Sequence, residues 1–147
     1  MRKLCRCGQN MNLGFRLVIF ENKFQVDRVP ILECEECNYY EVLPSFKADV
    51  IDLLSQLKEQ GESVRVYFTE INELADVLYG LSSQAAKLDP SAFRVLLEQS
   101  CNERINLLLD IYGCAQKMGD TSWMNEIAVR LAPLSKFVKK GQSLSAK

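Results

Sequence analysis

The chain has 147 residues, 48% of them apolar and 25% charged, and a net charge of −1. That balance suits a soluble globular protein of one ordinary domain, or a small domain beside a helical one, and no apolar run approaches the roughly 18 residues that cross a bilayer. Histidine is absent, which excludes Ser-His-Asp and Cys-His catalysis and every metal site with an imidazole ligand.

The small net charge conceals a segregation. Residues 1–32 carry six bases against two acids, residues 33–90 twelve acids against four bases, and residues 91–147 eight bases against five acids. Such asymmetry steers charged partners, although an ordinary solvated surface also accounts for it. The basic residues of 1–28 are the ones that would meet an acidic partner or nucleic acid. The pI near 5.6 gives little support to a nucleic-acid-binding domain as a whole. Arg2 and Lys3 are followed at once by cysteines and polar residues, so there is no signal-peptide core and a cytoplasmic location is expected.

Residues 1–43 read as β-rich. Met11 to Phe20 alternates and places Leu13, Phe15, Leu17 and Ile19 on one face. Glu21-Asn22-Lys23 serves as a hairpin turn and Phe24 to Asp27 as the return strand, with Pro30 interrupting any ladder. From Pro44 the period changes to about 3.6. Residues 45–60 set Phe46, Val50, Leu53, Leu54 and Leu57 on one helical face, with Ser45 as N-cap and Gly61 as stop. A second helix capped by Thr69 carries Ile71, Leu74, Ala75, Leu78 and Leu81, unless Val64 to Phe68 first forms a short strand. Asp89-Pro90 opens a third helix that ends at Gly119, long enough to admit a break near Ser100 to Asn102. Asp120 or Thr121 caps the last helix, which Pro133 should kink or end, and Gly141 to Lys147 reads as a frayed tail. The expected fold is therefore α+β: a β ribbon over 1–43, then a helical domain of about four helices over 44–147.

Four of the six cysteines form two tight pairs, Cys5-x-Cys7 and Cys34-x-x-Cys37, separated by 26 residues. A single zinc ion takes four thiolates in a tetrahedron with Zn–S at about 2.3 Å. Two short pairs on adjacent hairpin tips supply that geometry, and a module of some 40 residues has little core of its own, so a metal staple explains it. Disulfides or a redox Cys-x-x-Cys are the rival readings, and both sit poorly with two pairs in a chain lacking an export signal. A four-thiolate site leaves no position for water, so it is structural. Arg2, Lys3 and Arg6 would offset its negative charge, against Glu33, Glu35 and Glu36.

With Cys7-Gly8, Val29-Pro30 and Cys34-Glu35-Glu36-Cys37, residues 5–37 resemble the YgiT-type zinc finger at the N-terminus of MqsA-like antitoxins. That family usually opens with Cys-x-x-Cys; here Leu4 occupies the first ligand position and Cys5 takes the role. The resemblance implies a structural zinc module serving protein contacts and a C-terminal helix-turn-helix that reads DNA. The segment Gly80 to Arg94 faintly resembles such a unit, with a middle helix of about seven residues and Arg94 as its early base-reading candidate. A plain helix–loop–helix is the competing account. Residues 107–132 somewhat resemble the helical-hairpin IDEAL motif, which would imply protein–protein contact.

The remaining features point to structure rather than chemistry. Cys101 and Cys114 read as small buried residues, Trp123 and Met124 as core anchors, and the pairs Asp49/Asp52 and Glu70/Glu73 as solvent-facing charge. One ring of Tyr39-Tyr40 is expected to cover the metal and the other to face a partner. The expectation is a non-enzymatic regulatory or adaptor protein. It has one structural zinc on Cys5, Cys7, Cys34 and Cys37, and a protein partner, with no membrane and no small-molecule substrate. An MqsA-like DNA-binding regulator or antitoxin is the alternative.

Overall fold

The structure is a computed structural model describing residues 3–145, with side chains described for 3–140. The chain runs through β1 (Lys3–Leu4), β2 (Asn10–Phe20), β3 (Phe24–Cys34), β4 (Tyr40–Val42), α1 (Pro44–Gln60), β5 (Val64–Tyr67), α2 (Phe68–Ile71), α3 (Glu73–Gly80), α4 (Ser82–Ala85), α5 (Pro90–Met118) and α6 (Thr121–Ser145). It is an α+β fold in which an N-terminal sheet is followed by helices.

The hairpin β2–β3 is the spine of the sheet. Glu21 and Asn22 adopt positive φ at its turn. Asn tolerates that region readily, so the polar Glu-Asn-Lys segment closes the hairpin as expected. The return strand is longer than its alternating stretch, because β3 continues through Pro30 to Cys34. The Pro30 carbonyl accepts from the Leu43 N–H at 3.0 Å, so the proline nitrogen faces the same edge of β3. There β5 pairs only as far as Asp27 and β4 begins at Ile31. The missing N–H falls in the gap between them and no ladder bond is lost.

A bulge in β3 lies where the buried face of β2 changes. Arg16 pairs with Val29 but Val18 with Val26, so Asp27 and Arg28 together oppose Leu17. Arg28 takes φ +58° there, and its N–H bonds the Asp27 carboxylate at 2.8 Å. Before the bulge Met11, Leu13 and Phe15 face the core; beyond it Val18 and Phe20, of opposite parity, do so, and Leu17 and Ile19 are exposed. Each end of the hairpin thus buries a different face. Near one end the Phe15 ring meets Tyr79 of α3 edge-on at 5.0 Å between centroids. At the other, α1 packs on β3 and its Lys58 reaches Glu21 at the turn at 3.5 Å.

The helices follow from local chemistry. Pro44 at the first turn starts α1, with no side-chain cap from Ser45, and Gly61 at φ +73° ends it. Phe46, Val50, Leu53 and Leu57 are its buried face, as their spacing predicts. Val64–Tyr67 is a strand, parallel to β3. The helix expected from Thr69 is two pieces: Asn72 turns extended, and its side-chain oxygen caps α3 by accepting from the Ala75 N–H at 3.0 Å. Asp89 caps α5 at 2.8 Å, and the helix runs 29 residues to Gly119 without a break at Ser100. Asp120, not Thr121, caps α6 at 3.0 Å. Pro133 neither ends α6 nor stops its packing, although the carbonyl of Val129 loses its helical N–H donor there.

One buried cluster extends from Cys5 and Met11 through Phe24, Phe46 and Phe68 to Leu108 and Leu134. The sheet also crosses residue 43, since β5 lies beyond it and pairs with β3. The residues read as helical domain therefore complete the sheet of the ribbon.

Candidate metal centre

The two 11-residue strands of the hairpin absorb the 26-residue spacer and bring the cysteine pairs back side by side. Met11 lies opposite Cys34 in the ladder, which puts the turn carrying Cys5 and Cys7 next to the end of β3. The first turn is closed by Cys5 N–H to the Gln9 carbonyl at 2.8 Å and Gly8 N–H to the Cys5 carbonyl at 2.9 Å. Gly8 sits at φ +89°, a conformation that costs glycine nothing and other residues a great deal. The second is closed by Cys34 N–H to the Tyr39 carbonyl at 2.8 Å and Asn38 N–H to the Cys34 carbonyl at 3.0 Å. Asn38 provides the positive φ in this turn.

These turns aim four sulfurs at one point. Cys5 Sγ is 3.3 Å from Cys37 Sγ, Cys7 Sγ is 3.5 Å from Cys34 Sγ, and all four lie within 4.8 Å of one another. A tetrahedral thiolate site with bonds near 2.3 Å has sulfurs separated by about 3.8 Å. The cluster thus fits one metal ion with all four ligands supplied by the chain. The Cys-x-Cys half, one residue shorter than the usual pair, closes as well as the other. Cys5 and Cys34 are buried, Cys7 and Cys37 exposed.

The backbone favours thiolates here. The N–H groups of Cys37 and Glu36 point at the sulfur of Cys34 and, against a contrary effect of burial, draw its thiol down to about 7. The Gln9 N–H acts likewise on Cys7 and the Tyr39 N–H on Cys37. The neighbouring sulfurs outweigh these donors, so Cys7 is raised and Cys37 pushed up to about 12. Four crowded thiols cannot all ionise alone, and a cation resolves that repulsion.

Several surrounding expectations change. Lys3 does not turn to the sulfurs but bonds Glu41 at 2.7 Å, and Arg2 lies outside the described residues. Both rings of Tyr39-Tyr40 are exposed; Arg16 covers Tyr40 at 4.2 Å, and the Tyr39 hydroxyl donates to Glu41. Cys101 is fully buried, as read, but Cys114 is exposed. Glu73 is not solvent-facing: it accepts from Arg104 at 2.7 Å and from Nε and Nη2 of Arg130, each at 3.0 Å, tying α3 to α5 and α6. Its partners lie 31 and 57 residues away, beyond any local pattern. The stretch resembling a helix-turn-helix has a middle helix of four residues, and Arg94 pairs with Glu98 on its own helix. Residues 107–132 form the tip of the α5–α6 hairpin. Among the described residues no helix is long and apolar enough to cross a membrane.

Comparison of the chain with family models, with curated proteins and with solved structures finds no match.

Proposed function

We propose that this chain is a non-enzymatic regulatory or adaptor protein whose ribbon is held by one structural zinc ion. The observation that carries the reading is the convergence of Cys5, Cys7, Cys34 and Cys37 on a single point, which spends all four tetrahedral positions on the chain itself. Zinc is the ion that an all-thiolate tetrahedral set favours in a structural role. Bound there, it supplies a cross-link between the turns and no reaction. The resemblance of residues 5–37 to the YgiT-type zinc finger supports the same role, a module that serves protein contacts. The DNA-binding alternative rests on residues 80–94, where a four-residue α4 leading into a 29-residue α5 favours a bundle corner over a reading head.

Two measurements test this. Purified protein is expected to carry about one zinc per chain by plasma mass spectrometry, and Cys34→Ser to lose it. A metal-free chain with an intact ribbon would overturn the zinc assignment. In duplex-DNA selection, no sequence is expected to be enriched. Salt-sensitive binding to a specific duplex, abolished by Arg94→Ala, would replace the adaptor reading with the regulator.

A further inference from the structure

Away from the sulfurs, α1 and α6 stand as the two walls of a groove of about 590 Å³. Its floor is formed by Phe68, Ile71 and Leu74, with the polar Asn72 among them. Val129 and Pro133 line it from α6. Val129 is 70% exposed and Ile71 50% exposed, so this apolar surface is open to a guest. The walls carry opposite charges: Asp49 and Asp52 on α1, Lys136 and Lys140 on α6. Each pair is spaced one helical turn apart. The lining runs from Pro44 to Gln56 on one wall and from Val129 to Lys140 on the other. At 1.5 Å per residue each wall is roughly 17 Å long, three turns of helix.

We infer that this groove docks an amphipathic α-helix of a partner protein, about twelve residues long, with Lys or Arg on the flank facing α1 and Asp or Glu on the flank facing α6. The inference rests on the adaptor reading above and gives it a docking site. Groove length selects a three-turn guest, the floor selects its apolar face, and the split charge selects its flanks and orientation. A helix with the two flanks exchanged would set like charge against like on both walls.

The test is selection from a displayed library of helical twelve-residue peptides against the zinc-loaded full chain. Winners are expected to be amphipathic with basic and acidic flanks segregated as stated. Val129→Glu places a carboxylate on an exposed apolar wall, so it should fold, keep its zinc and lose binding more than tenfold. Asp52→Lys, which leaves the bond between Asn72 and Asp49 intact, should weaken the winners by roughly twofold to fivefold, and exchanging the peptide flank facing α1 to acids should restore them. Binding that survives Val129→Glu, or that ignores the charge exchange, would overturn the proposal. So would dimerisation of the chain abolished by Val129→Glu, which would make a second copy the occupant. If a cellular partner co-purifies equally with wild type and Val129→Glu, the groove falls while the adaptor reading stands.

Discussion

At the scale of single residues, the four sulfurs and Glu73 carry the most weight. Metal uptake must remove protons from Cys7 and Cys37, whose thiols lie above their ordinary range, and partly from Cys34, which titrates near 7. Because all four thiols must give up their protons to the metal and Cys34 is already partly ionised at pH 7, loading the metal-free protein at that pH is expected to release about three to four protons per ion, and affinity should fall as pH drops below 7. A pH-indicator titration checks this; release of fewer than one proton would contradict a thiolate site. Glu73 behaves differently. Its two arginines outweigh its burial and hold its carboxyl below the usual carboxylate value. Because the folded value is depressed, its stabilisation is complete above the unfolded value and is lost as pH falls through the folded one. Glu73→Gln should cost about 2 kcal/mol at neutral pH, since it leaves Arg104 and Arg130 short of their shared charge. Thermal melts of the two proteins should differ at neutral pH and draw together as the pH falls through the depressed folded value of Glu73. The cysteines were legible because their spacing is local. Glu73 was not, because its arginines arrive from α5 and α6.

Helix boundaries depended at the element scale on what each end could bond. Asp89-Pro90, Gly61 and Gly119 act within a turn of themselves, and the helices begin or end beside them. Asn72 acts through a partner outside its own turn, since its amide also donates to Asp49 of α1 at 3.2 Å. It both caps α3 and anchors the kink after α2. Asn72→Ala is expected to cost about 2 kcal/mol in urea unfolding, more than a cap alone, because the half-buried link to Asp49 is lost with it. A change under 0.5 kcal/mol would mean that the kink is held by packing alone. The strand faces show the limit of periodicity. Alternation placed Leu17 and Ile19 with Leu13 and Phe15, and β2 does keep that alternation. What changes is the side on which the protein supplies a cover, and no pattern within the strand records that.

For the whole molecule, ribbon and helices share their interior. Cys5 and Cys34 belong to the same buried cluster as Leu108 and Leu134, and β5 from beyond residue 43 completes the sheet. Chelation of the metal should thus lower the melting temperature of the entire chain in one transition, followed by circular dichroism at helical wavelengths. A fragment of residues 44–147 should lack a cooperative melt, since it exposes the face of α1 that packs on β3 and strands β5 without its neighbour. A fragment that melts cooperatively at the full-length temperature would show that the ribbon is an appendage. By itself, the sequence determined the α+β class, the hairpin, the start of α5 at Asp89-Pro90 and the four thiols. Each of those is written in contacts between near neighbours, a turn, a cap, a period or a pair of cysteines. Only the tertiary structure decided which sheet face is covered, that β5 returns to β3, that Glu73 joins three helices, and that α1 and α6 frame an open groove with opposite charge on its walls. Those features depend on residues far apart in the chain, whose meeting is set by packing rather than by local chemistry.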